Sequence, residues 1–81
     1  MEVRIRLSSS LARLAPAPML RLELPNDATV EQLYDCLAAA RPELGPALSS
    51  ALPLVAGEHV GWDRRLCHGE EIALLTPLAG G

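Results

Sequence analysis

The chain has 81 residues, with seven basic and ten acidic side chains, a formal net charge of −3 and a hydrophobic share of 49%, which fits one globular domain and excludes a disordered segment. The mild acidity and the lack of a basic run argue against a nucleic-acid surface, and no apolar stretch nears the roughly 20 residues needed to cross a bilayer. The charged, alternating start Met1-Glu2-Val3-Arg4-Ile5-Arg6 is unlike a signal peptide, so a cytoplasmic protein with no membrane or nucleic-acid partner is expected.

Val3, Ile5 and Leu7 alternate with Arg4 and Arg6, the period of a half-buried strand. Leu11 to Leu14 reads as a short turn, and Pro16 and Pro18 make the connection irregular. Leu20, Leu22 and Leu24 mark a second strand beside the first, with Glu23 expected to pair with the arginines of its neighbour. Thr29 and Gln32 have capping-box spacing. Val30, Leu33, Leu37 and Ala40 continue as one apolar helical stripe, which Pro42 stops. Glu43 to Ser50 reads as a loop holding about one helical turn. Leu52 to Ala56 is expected as a buried strand and His59 to Trp62 as a short returning one. Leu66 should reach back to the core before a turn at His68-Gly69-Glu70. In the last strand Ile72 and Leu74 face the helix, and Ala73 and Leu75 face away.

One helix against a mixed sheet of four to five strands is an α+β roll. With the first and last strands side by side at its centre, it is a β-grasp arrangement. Residues 1–75 form the domain and 76–81 an extended tail.

The side chains offer little catalytic equipment. All seven bases are arginine, which excludes a Schiff-base lysine or a P-loop lysine. Cys36, inside the helical pattern, reads as a small buried hydrophobe. Cys67-His68 are adjacent, and neighbours on an extended chain point to opposite faces. With His59 they form no set of metal-ligand spacing, so no metal is expected. Glu70-Glu71 reads as a solvated turn.

The end of the sequence, Thr76-Pro77-Leu78-Ala79-Gly80-Gly81, is the specific feature. Two residues without Cβ atoms can thread a channel that any side chain would block. Pro77 stiffens the exit from the strand. From Pro77 to Gly81 an extended chain reaches about 17 Å, enough to carry a terminal carboxylate into another protein. That carboxylate, ionised at neutral pH, reacts only after activation, so the chain is expected to be a substrate and carrier whose chemistry partners supply. Ala73, Leu75 and Leu78 make an apolar docking surface beside the tail.

With these features in place the sequence resembles the ubiquitin-like sulfur carriers (MoaD/ThiS-like), most of all the small subunit of molybdopterin synthase. The likeness spans nearly the whole chain. It lies in the strand Val3 to Leu7, in Asp27-Ala28-Thr29-Val30-Glu31-Gln32-Leu33, in Ala40-Arg41-Pro42-Glu43-Leu44 and in the ending. His68-Gly69-Glu70-Glu71-Ile72-Ala73 through Pro77-Leu78-Ala79-Gly80-Gly81 is similar to the family's Asp-Gly-Asp-Glu-Val-Ala…Pro-Pro-Val-x-Gly-Gly. Thr76 stands where the first proline of the usual pair would be. Ala56-Gly57-Glu58 replaces an Asn-Gly-like turn.

The resemblance implies that an ATP-dependent activating enzyme adenylates Gly81, that a sulfur donor enzyme converts it to a thiocarboxylate, and that Gly80 is needed for passage. It further implies a non-catalytic subunit with no bound cofactor. This subunit would join a large synthase subunit, in a heterotetramer, to supply sulfur for the molybdopterin dithiolene of the molybdenum cofactor. The same ending also suits a carrier for thiamine, cysteine, thiolated tRNA or a specialised metabolite, or a ubiquitin-like modifier of proteins. A plain β-grasp binding module with an inert end is the remaining reading.

Overall fold

In the computed structural model, which describes residues 1–15 and 17–76, the opening alternation becomes β1 (Glu2–Leu7). Val3 and Ile5 are fully buried, and Arg4 and Arg6 are exposed. A helical turn, α1 (Ser9–Ala12), follows where a simple turn was expected, and it drives Leu11 fully into the core. β2 (Met19–Glu23) runs back antiparallel, with Val3 opposite Leu22 and Ile5 opposite Leu20.

This register corrects one expectation. It sets Glu23 opposite Glu2 and Arg21 opposite Arg4, so Glu23 does not pair with the arginines of β1. Its carboxylate lies 3.8 Å from the Met1 amino group. The apolar face decides: a slip by one residue would turn every leucine of β2 to solvent, a larger loss than unfavourable pairing between exposed charges.

The helix α2 (Val30–Ala40) begins as its sequence predicts. Thr29 Oγ1 accepts from the Gln32 backbone N–H at 3.3 Å, and Gln32 Oε1 accepts from the Thr29 N–H at 2.8 Å. The Val30 and Glu31 N–H groups donate to the carbonyls of Arg64 and Trp62, at 3.0 and 3.1 Å. The donors that a helix start leaves without partners therefore anchor a distant loop. Val30, Leu33, Tyr34 and Leu37 are buried, each large apolar side chain worth about 1.5–3 kcal/mol when removed from water. Cys36 is only half-buried, at the edge of the core.

Pro42–Leu44 forms a 3₁₀ turn and α3 (Gly45–Leu48) a further helical turn, so this segment is more ordered than the expected loop. Leu44 and Leu48, four residues apart, are its buried anchors. β3 (Leu52–Val55) turns tightly into β4 (Glu58–His59) through Ala56 and Gly57, both at positive φ, 52° and 81°. The expected return over His59–Trp62 is thus shorter and starts one residue earlier. After Val60 the chain leaves the sheet and turns its carbonyls to the start of α2. Leu66 is buried, as expected.

β5 (Glu71–Leu75) closes the fold. The strand order is β2-β1-β5-β3-β4, with β1 and β5 parallel and the other pairs antiparallel. It is the expected mixed β-grasp sheet, with the first and last strands adjacent and α2 on one side. Both carboxylates of the expected solvated turn are ion-paired, Glu70 partly shielded and Glu71 still open to solvent. Arg64 grips Glu70 in a two-pronged contact at 3.0 and 2.9 Å, and Arg6 Nε donates to Glu71 at 2.9 Å. Among the described residues no helix is long and apolar enough to cross a membrane.

Candidate functional site

Side chains alternate along β5, so Ile72 and Leu74 enter the core while Ala73 and Leu75 lie on the opposite face of the sheet. Pairing with β3 places Leu52 across from Leu75 and Leu54 across from Ala73. Leu75 and Leu52 are 42% and 44% exposed, while Ala73 and Leu54 are half-buried. The sequence pattern identified Ala73 and Leu75. It missed Leu52 and Leu54, because only the β3–β5 register reveals them as neighbours. β1 lies on the other flank, where Arg6 pairs with Ala73 and Arg4 with Glu71. The face is thus apolar at the end where β5 finishes and charged toward β1 and β2. The Arg6 hydrogen bond, followed by the nearby Arg6 and Arg4 charges, holds the Glu71 carboxyl below its ordinary range.

The last described residue beyond β5 is held to β1. Ser8 Oγ and Thr76 Oγ1 are 3.2 Å apart, and the Ser8 N–H donates to the Leu74 carbonyl at 3.0 Å. This is the root from which the expected tail leaves, next to Leu75 and Leu52. Leu78, Gly80 and Gly81 lie outside the described residues.

The turn before β5 is tied down from several sides. The Gly69 N–H donates to the Glu2 carbonyl at 2.7 Å, and the Glu2 N–H donates to His68 Nδ1 at 3.1 Å. The Arg64 hydrogen bond is the main cause that lowers the Glu70 carboxyl from its ordinary value, with the Cys67 N–H adding to it. Among the described residues no group of three or more His, Cys, Asp or Glu could hold a metal ion.

On the helix side, Tyr34 donates its hydroxyl to the Ala51 carbonyl at 3.0 Å, and burial pushes its phenol up to about 12. Its ring and that of Trp62 stand nearly perpendicular, at 85°, with centroids 4.6 Å apart.

Comparison with known proteins agrees with this architecture. SAMP1 from Haloferax volcanii, seen in a crystal structure, is 27% identical, with both chains covered in full and a TM-score of 0.89. A chain of the complex of subunits 1 and 2 of the molybdopterin-converting factor from Helicobacter pylori shares the fold at 17% identity. Coverage is full on both sides and the TM-score is 0.72. The Caldiarchaeum subterraneum ubiquitin shares it at 20% identity, over 100% of this chain and 98% of that one, with a TM-score of 0.67. No curated protein sequence matches. The ThiS family pattern matches residues 5–81, from the first strand through Gly80-Gly81, and on that match the chain belongs to the ThiS family of ubiquitin-like sulfur carriers.

Proposed function

We propose that this protein is the sulfur-carrying small subunit of molybdopterin synthase, with Gly81 as the terminal residue that bears the cargo. The observation that carries the reading is the placement of exposed Leu75 and Leu52 at the root of a tail whose family match includes Gly80-Gly81. An activating enzyme would dock on Ala73, Leu75 and Leu78 and use ATP to convert the Gly81 carboxylate to an acyl-adenylate, releasing pyrophosphate. A donor's sulfur would then displace AMP and leave a thiocarboxylate. Gly80 allows the last residues to pass a narrow channel. The sulfur acceptor sits on a larger subunit, for which the two-subunit Helicobacter pylori complex offers a parallel. The body contributes binding and presentation, and the partners contribute the chemistry.

Incubation with the activating enzyme, ATP and a sulfur donor should add about 16 Da at the activated carboxyl, and deletion of Gly81 should abolish the gain. No gain with an activating enzyme proven on its own carrier would overturn the proposal. Co-purification with a large synthase subunit would establish the molybdopterin role. The likeness to SAMP1, whose relatives are named small archaeal modifier proteins, favours a second reading as a protein modifier. In that case branched Gly-Gly remnants would appear on lysines of other proteins. The chain has no lysine of its own on which to build lysine-linked chains.

A further inference from the structure

Opposite the sheet's open face, α2, α3 and the loop at Trp62 enclose a groove of about 370 Å³ that the sulfur-carrier reading does not use. Glu31 and Asp35, one helical turn apart, form its acidic wall. Trp62, Tyr34, Ala38 and Leu48 line the groove as well. Trp62 is 52% exposed, the most exposed large hydrophobic side chain among the described residues. It is also fixed in place. Its carbonyl accepts from the Glu31 N–H, and its ring packs nearly perpendicular to that of Tyr34. No basic side chain lines the groove, and among the described residues no ion pair reaches Glu31 or Asp35.

We infer that this groove binds an arginine side chain presented by a partner protein. An exposed indole lining the same groove as two carboxylates suits a flat cation. A guanidinium stacks on the aromatic face through cation–π attraction and at the same time donates to carboxylate oxygens. A lysine ammonium would satisfy the charge without the stacking plane. A neutral apolar side chain would bury the carboxylates beside it without a counter-charge. Because the groove and the face bearing Leu75 lie on opposite sides of the sheet, a protein held in the groove leaves that face and the tail root open to a second one.

The test is an NMR titration of the ¹⁵N-labelled protein with the capped peptide acetyl-Gly-Ser-Arg-Gly-Ser-amide, and with the same peptide carrying citrulline, the neutral isostere. The chain's single tryptophan gives one indole N–H signal to follow. Saturable shifts of that signal and of the Glu31 and Asp35 amides are expected. Citrulline should bind at least about fivefold more weakly, as should the exposed-site variants Trp62→Ala and Glu31→Gln/Asp35→Asn, each checked for unchanged circular dichroism. Equal binding of citrulline, absence of saturation, or shifts centred elsewhere would overturn the inference. Free arginine amide binding as tightly as the peptide would point instead to a small guanidinium ligand. Self-association that Trp62→Ala dissolves would point to another copy of this chain. Either result overturns the assignment to a partner protein. Deleting Gly81 should leave the titration unchanged, so failure of the groove and failure of the carrier reading can be told apart.

Discussion

On the side of the sheet beneath α2, Ile5, Ile72 and Leu74 are fully buried. On the other side the same strands turn Arg4, Arg6 and Leu75 to solvent. The covered face satisfies the requirement for a core in a small chain that cannot bury much surface. The open face has no such duty, yet it gathers Leu75, Leu52, Leu54 and Ala73 at one end. Folding accounts for the first arrangement. The proposed docking of a partner would account for the second.

The sharpest test of that division is Ile72→Ala, which removes a fully buried side chain between neighbouring strands and should cost about 2–5 kcal/mol in urea unfolding. A cost near zero would mean that the helix-covered face is not the core. An intermediate effect is expected at the rim, where Arg64 holds Glu70. A carboxyl whose folded pKa is depressed binds fewer protons than it does in the unfolded chain. Its stabilisation is therefore present above the ordinary value of 4.5 and is lost as pH falls through the lowered one. Glu70→Gln should cost about 1 kcal/mol at neutral pH, the pair being partly shielded from water, and should flatten the loss of stability below pH 4.5. Glu71 adds a dependence of the same sign through Arg6. The smallest effect on stability belongs to the open face, where Leu75→Ser should change unfolding by no more than about 0.5 kcal/mol. It should still weaken capture by the activating enzyme about tenfold, as loss of an interface anchor does. If Leu75→Ser destabilised the fold as much as Ile72→Ala, the distinction between the two faces would fail.

Local signals were readable from the sequence. Thr29 and Gln32 announced the capping box, and alternation assigned Ile72 and Leu74 to one face and Ala73 and Leu75 to the other. The strand pairing at the centre followed from element order. What escaped depended on register and on contacts distant in sequence. Glu23 meets Glu2 because Leu20 and Leu22 fix the alignment of β1 and β2. Leu52 joins the open face only through its pairing with Leu75. The groove at Trp62 exists because the start of α2 bonds to carbonyls about thirty residues away in the chain, a partnership that periodicity does not encode. The terminal glycines were legible as a motif, and they lie outside the described residues.

The parallel pairing of β1 and β5 has a mechanical consequence. The ladder extends from the Arg4 N–H on the Glu70 carbonyl to the Ser8 N–H on the Leu74 carbonyl. A partner that tugs on the chain beyond Leu75 while the start of β1 is held loads these bonds side by side, in shear. They must fail together instead of peeling one at a time. Resistance to such a pull is set by the rate of forced opening and not by equilibrium stability, so the domain can serve as a stop against which the chain end is drawn taut.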